Sequence, residues 1–314
     1  MKLNTQTTLA AALIAATGML AGTAQAAAVV HENFDNLTNA DEAAQGFSGT
    51  GVGVDGAWGA NFGGTGFIKV QNATIAGGNV KRTGGEYSFK TFGGGFEMTN
   101  TSAALTGSGL LADGATLWLS VLYDGAGWAP GGWGGIAIGD GVLDTSANGM
   151  FMGTGTTAVG MQTQTGSGFQ AAQWIGATQS ATNKSATASV AGTAHHFIKM
   201  EWTAAGETLT HYTADLTTGN LSAGNSVSIA NVDQTTFNTI SIATRDTSTG
   251  TARMDELRIA GNFADALGEK FGDLDRDGDV DTGDLNGAAG NFTGAGGSGK
   301  AWSTGDFDAD GDVD

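Results

Sequence analysis

A chain of 314 residues with a formal net charge of -18, 54 Gly, one Pro and no Cys is long enough for one large domain and a small one. Charged residues are only 14% of it, which excludes long charged amphipathic helices and favours short strands separated by turns. The acidity excludes nucleic acid and anionic membrane as partners, because both would be repelled, and it suits a multivalent cation.

Residues 1–26 read as a secretory signal. Lys2 precedes an apolar run over 9–22, and Ala24-Gln25-Ala26 forms an A-x-A cleavage site. The run is shorter than the roughly 20 apolar residues a bilayer requires. The mature chain is therefore expected to start at Ala27 and to act outside the cell, secreted or at the cell surface, with no membrane span. Without Cys it gains no disulfides there, so the body must fold on its apolar core.

Strand character appears over 67–70, 87–89, 116–123, 135–138, 197–202, 208–213, 237–243 and 253–259, between clusters of Gly, Asn, Asp and Ser. In 197–202, Ile198, Met200 and Trp202 share one face while Lys199 and Glu201 share the other, the period of a strand with one wet side. Ala205-Gly206 then turns the chain into 208–213. "TLWLSVLY" is apolar on both faces and reads as a central strand. The spacing predicts an all-β body, a sandwich or barrel.

Four stretches carry a resemblance over residues 29 to about 263: "VVHENFD" at the start, "LWLSVLYDGAGWAPGGWGGIAIGDG" in the middle, the hairpin "HHFIKMEWTAAGETLTHYT", and "ARMDELRIA" at the close. In this order they resemble the concanavalin A-like, LamG-type jelly-roll domains of secreted bacterial proteins. The resemblance implies a jelly-roll β-sandwich over 27–263, a fold that hosts many chemistries.

From residue 271 to 314 there are eleven aspartates against Arg276 and Lys300, a net of -9, half of the whole charge. "GDLDRDGDVD" recurs 33 residues later as "GDFDADGDVD". A calcium loop of EF-hand type takes oxygen ligands from positions 1, 3, 5, 7, 9 and 12 and glycine at 6 for a sharp turn. Asp273, Asp275, Asp277, Gly278, Asp279, Asp281 and Asp284 stand at positions 1, 3, 5, 6, 7, 9 and 12. Val280, at position 8, is placed to pack against a paired loop. Asp306, Asp308, Asp310, Asp312 and Asp314 fill 1, 3, 5, 7 and 9 of the second copy, whose twelfth position is not reached. Carboxylates this close repel when empty and become favourable around Ca2+, so the metal is expected to order the loop. After the first loop Leu285, Ala288, Ala289 and Phe292 fall on one face of a short helix, although Gly287 and Gly290 each cost about 1 kcal/mol of helix propensity.

Two duplicated loops with a helix after the loop resemble a type I dockerin, and aspartate at position 12 agrees with that family. The resemblance implies a small α module over 271–314, a linker over 264–270, and docking onto a cohesin domain in an extracellular assembly. In this family's pattern the second repeat is incomplete here: either the sequence is a fragment, the favoured expectation, or the second site is lost.

Dockerins often accompany polysaccharide-degrading enzymes, so hydrolysis of O-glycosyl bonds is the alternative function, and a purely structural surface protein is another. Retaining hydrolysis needs two carboxyls about 5 Å apart, yet over 27–270 no two acidic residues stand at i and i+2. Asp255 and Glu256 are adjacent and are expected on opposite faces. His195, His196 and His211 have no Ser or Cys nucleophile motif nearby and read as packing or surface histidines. Trp128 and Trp133, in "GWAPGGWGG", and Trp174 are candidates for stacking on sugar rings, with core packing as the other reading. The favoured function is a calcium-binding, dockerin-attached protein whose sandwich binds polysaccharide without catalysis.

Overall fold

The computed structural model describes residues 28–32, 47–48, 52–62, 67–71, 86–90, 96–124, 133–140, 157–164, 168–176, 181–189, 193–215, 220–245, 252–268 and 282–292. The strands in chain order are β1 (Val30–Glu32), β2 (Phe47–Ser48), β3 (Ala57–Phe62), β4 (Phe67–Gln71), β5 (Glu86–Lys90) and β6 (Phe96–Thr101). There follow β7 (Thr116–Asp124), β8 (Trp133–Gly139), β9 (Thr157–Gln164), β10 (Gly168–Ile175), β11 (Asn183–Lys184) and β12 (Ala188–Ser189). The last are β13 (Thr193–Glu201), β14 (Glu207–Ala214), β15 (Asn225–Ile229), β16 (Thr239–Arg245) and β17 (Ala252–Ala260). Among the described residues the α-helices are short: α1 (Ala103–Gly107), α2 (Phe263–Leu267) and α3 (Thr282–Asn291).

Two antiparallel sheets form a β-sandwich. The first runs β15-β14-β13-β7-β17-β5-β4, with β1 added against β17. The second runs β11-β10-β9-β8-β16-β6-β3-β2, with β12 added against β10. All eight stretches with strand character fall on strands, shifted only at their ends. The hairpin predicted at Ala205-Gly206 joins β13 to β14, with Met200 opposite Leu209 and Glu201 opposite Thr208. Gly206 takes φ +143, and a Cβ there would press on the carbonyl oxygen of Ile229.

The core lies between the sheets. Leu117, Leu119, Val121 and Tyr123 of β7, and Ile198 and Met200 of β13, face Ile136 and Ile138 of β8, Val159 and Met161 of β9, and Phe169 of β10. Trp202 and Phe237 close one end edge to face at 6.3 Å, and the indole N–H of Trp202 donates to the carbonyl of Leu110 at 2.7 Å.

β7 is central, paired with β13 on one side and β17 on the other. Its second apolar face is also covered. Trp118 of β7 and Phe197 of β13 pack against Phe263, Ala264, Ala266 and Leu267 of α2. Ser120, the one polar residue in "LWLSVLY", is buried there and its hydroxyl donates to the carbonyl of Ala266 at 2.5 Å. Asn262 caps α2 by accepting from the N–H of Asp265 at 2.9 Å, and Gly268 ends it at φ +82. The expected linker over 264–270 is thus corrected for its first residues: Ala264, Ala266 and Leu267 are buried parts of the sandwich. Their apolar side chains have a sheet to cover, which a free linker would not.

β9 and β10 had no strand expectation. Gly160 lets β9 approach β8 closely: a Cβ at that position would meet the carbonyl oxygen of Ile136 and lie 2.7 Å from the Cα of Ala137. Gly160→Ala is therefore expected to cost about 2 kcal/mol or more in urea unfolding through overpacking, whereas Gly107→Ala, with open space around it, should be neutral or slightly stabilising. Equal midpoints for the two variants would contradict this packing.

Candidate functional site

The antiparallel registers gather one set of chain connections at a single end of the sandwich. Asp124, the last residue of β7, pairs with Thr193 at the start of β13 and with Arg253 near the start of β17. Trp133, the first residue of β8, pairs with Gln164 at the end of β9 and Arg245 at the end of β16. The strand ends that bound 125–132, 165–167, 190–192 and 246–251 therefore lie at the same end. The first of these segments holds Trp128, which lies outside the described residues.

Toward this end the interior changes from aliphatic to aromatic and imidazole. Tyr123 of β7 meets Phe169 of β10 edge to face at 4.6 Å. Phe169 in turn lies over His196 of β13 at 4.1 Å and stacks on His211 of β14 at 6.1 Å. The Nδ1 atom of His196 and the Nε2 atom of His211 share one hydrogen bond of 3.1 Å. Both rings are buried, and burial first, then the neighbouring His211 and His195, hold the pKa of His196 well below its ordinary value. Burial lowers that of His211 to about 4. A face contact with Phe169 would return on the order of 2 kcal/mol to a charged ring. The desolvation of a buried ion costs several kcal/mol, so burial wins and the pair is neutral near pH 7. The reading of these histidines as packing groups holds for their burial; their mutual bond is what sequence spacing did not disclose.

Trp174, on the face of the second sheet turned away from this core, is 0% exposed and packs with Ala137, Ala158 and Ala172. Its indole is seated in protein, which is the packing reading and corrects its placement among the sugar-stacking candidates. Trp133 keeps its place at the mouth of the 125–132 connection by strand register.

A second polar cluster sits on β17, where the register slips between Asp255 and Arg258. The bulge sets Glu256 at φ +52, a left-handed conformation rare for a residue with a side chain, and this replaces the simple alternation expected of Asp255 and Glu256. Both are buried. The carboxylate of Asp255 accepts from the N–H of Glu256 at 2.8 Å. Arg258 donates to Glu256 at 2.6 Å, and the Nε2 atom of His31 on β1 lies 2.8 Å from the same oxygen. Burial pushes the pKa of Glu256 up, but the His31 hydrogen bond and the charges of Arg258 and His31 outweigh it and leave it at about 2. These bonds tie the first strand to the last and oppose the roughly 1–3 kcal/mol cost of the backbone strain.

Of the aspartates assigned to calcium, Asp284 alone is among the described residues. It lies in the first turn of α3 and is 3% exposed, while Leu285 beside it is 49% exposed. Asp273, Asp275, Asp277, Asp279, Asp281, Asp306, Asp308, Asp310, Asp312 and Asp314 lie outside the described residues, as does the signal at 1–26. The helix predicted after the first loop is present as α3; Leu285 on it and Phe292, one residue past its end, are exposed. Among the described residues no helix is long and apolar enough to cross a membrane, and no cluster of three or more His, Asp or Glu is arranged to hold a metal.

No family model matches the chain, and no curated protein sequence does. Solved structures with a similar chain path include the T. cruzi calreticulin globular domain, at 9% identity and TM-score 0.46 over 76% of this chain and 91% of that one. Alginate lyase vAL-1 from Chlorella virus is similar at 8% identity and TM-score 0.39, over 65% of this chain and 93% of that one. The binding domain of Botulinum Neurotoxin DC, in complex with SialylT, follows at 10% identity and TM-score 0.41, over 76% and 49%. The architecture assigned to the chain rests on its own two sheets and the core they share.

The Glu256 cluster has a pH signature. A carboxylate whose folded pKa lies below its unfolded value adds stability above the unfolded value and loses it as pH falls through the folded one, here between about 4.5 and about 2. The loss should be on the order of 3 kcal/mol. Glu256→Gln is expected to be less stable at pH 7 and to show a flatter fall in urea midpoint across that window; a slope equal to that of the parent would remove the role given to this cluster.

Proposed function

We propose that the chain is a modular extracellular protein, in which a concanavalin A-like jelly-roll sandwich holds carbohydrate at the end carrying Trp128 and Trp133, and a dockerin-like calcium module attaches it to a cohesin-bearing partner. The observation that carries the reading is the repeated loop, with aspartates at positions 1, 3, 5, 7 and 9 and glycine at 6 in both copies. Supporting it, α3 begins at Thr282, where a helix should leave such a loop, and the position-12 residue Asp284 is turned inward in its first turn.

The carbohydrate part is supported by composition and place. In sequence, 125–132 holds Trp128 among glycines and one proline, and it follows β7, whose residues from Leu117 to Tyr123 are buried. A buried strand leading directly into a Trp-bearing segment is a fit platform for stacking on a sugar ring.

Calorimetry of the full chain with calcium should give binding at sub-millimolar concentration that chelator reverses, and Asp273→Ala with Asp277→Ala should bind fewer ions per chain; an unchanged isotherm would falsify the loop assignment. Separately, Trp128→Ala with Trp133→Ala is expected to lower retention on a polysaccharide panel at least tenfold while the calcium isotherm stays the same, and undiminished retention would move the binding surface elsewhere.

A further inference from the structure

Toward the end of the sandwich where β7 finishes, His196 and His211 are bonded to each other at 3.1 Å and sealed by Phe169 and Tyr123. Proton bookkeeping on that one bond is restrictive. The Nδ1 atom of His211 is buried and has no hydrogen-bond partner among the described residues. A buried lone pair without a donor is cheaper than a buried N–H without an acceptor. The neutral pair is therefore arranged with the Nε2–H of His211 donating to the bare Nδ1 of His196. An added proton has two places to go. On the Nδ1 of His196 it removes the acceptor and sets two N–H groups against each other. On the Nδ1 of His211 it makes a buried cation with nothing to receive its hydrogen.

Among the described residues no neighbour relieves either outcome. From β7 the pair is faced by Tyr123, and from β10 by Phe169. On β13 itself the nearest titratable group is His195, which adds charge of the same sign when protonated. Asn225 of β15 stands opposite His211 in the register. Lys199 and Glu201 pair with each other at 2.9 Å, on the far half of β13. Among the described residues no carboxylate is bonded to either ring.

We propose that the His196–His211 pair is an acid-sensitive latch between the two sheets, holding this end of the sandwich closed near neutral pH and releasing it when the pair takes up a further proton. Phe169 is the contact through which the second sheet feels the change, because it lies on both rings. The latch does not depend on a sugar being held at that end. Its sign follows from the depressed folded values: the unfolded chain binds the extra protons first, so stability is full above about pH 6.5 and is lost as pH falls toward 4. That window lies above the one governed by Glu256.

The test uses the full chain and His211→Gln, whose amide can still donate to His196 but cannot titrate. The parent should lose about 5–10 °C in Tm between pH 7 and pH 4.5, and the variant less than half as much; equal losses would overturn the latch. Should the variant fail to fold, NMR titration of the parent's histidine ring protons decides. Both rings staying unprotonated in the folded chain down to about pH 5 is the expected result, and an ordinary titration of either near pH 6.5 with the fold intact would overturn it.

Discussion

The body is built around one strand covered on both faces. Inward, Leu117, Leu119, Val121 and Tyr123 of β7 fill the space between the sheets. Outward, Trp118 and Ser120 are roofed by α2. Burying a large side chain contributes about 1.5–3 kcal/mol relative to leaving it in water, and β7 does so at nearly every position. Its neighbours inherit their registers from it: β13 lines up through nine residue pairs, and β17 adjusts through a bulge. In a chain without disulfides, this is where the apolar driving force is concentrated.

What the sequence disclosed follows the same physics. β13 was legible from its second half, where Ile198 and Met200 turn to the core and Lys199 and Glu201 to the other face; its first half is buried on both faces, with Phe197 under α2. β7 was legible as central because both faces are apolar. β9 and β10 were not. "TAVGMQTQ" and "GFQAAQWI" are rich in Gly, Ala and Gln, which have little strand preference, and they are strands because β8 offers a ladder and the core accepts Val159, Met161, Phe169 and Ala171. The role of α2 was hidden for a related reason. "FADAL" is too short to show helical periodicity, and only the sheet beneath it explains its three buried apolar residues after Phe263.

Charge divides along the same lines. In the body Glu256 is buried within a bonded cluster, its acceptor oxygen held by a guanidinium and an imidazole. The tail concentrates aspartates with two cations among them. The spacing of those aspartates was readable because a metal loop fixes ligand positions in sequence. The His196–His211 bond was not, because it joins residues on different strands, offset by two positions across the ladder, and only the register brings their rings together.

The seating of α2 also decides how pull on the C-terminal segment is shared. Phe263, Ala264, Ala266 and Leu267 are anchored on Trp118 and Phe197, in the middle of the first sheet and away from its edges. Tension arriving through Gly268 must first strip this short helix from its seat, and with it the Asn262 cap, before β17 can be peeled from β7. The helix thus works as a mechanical fuse: it can yield alone while the sandwich behind it stays paired.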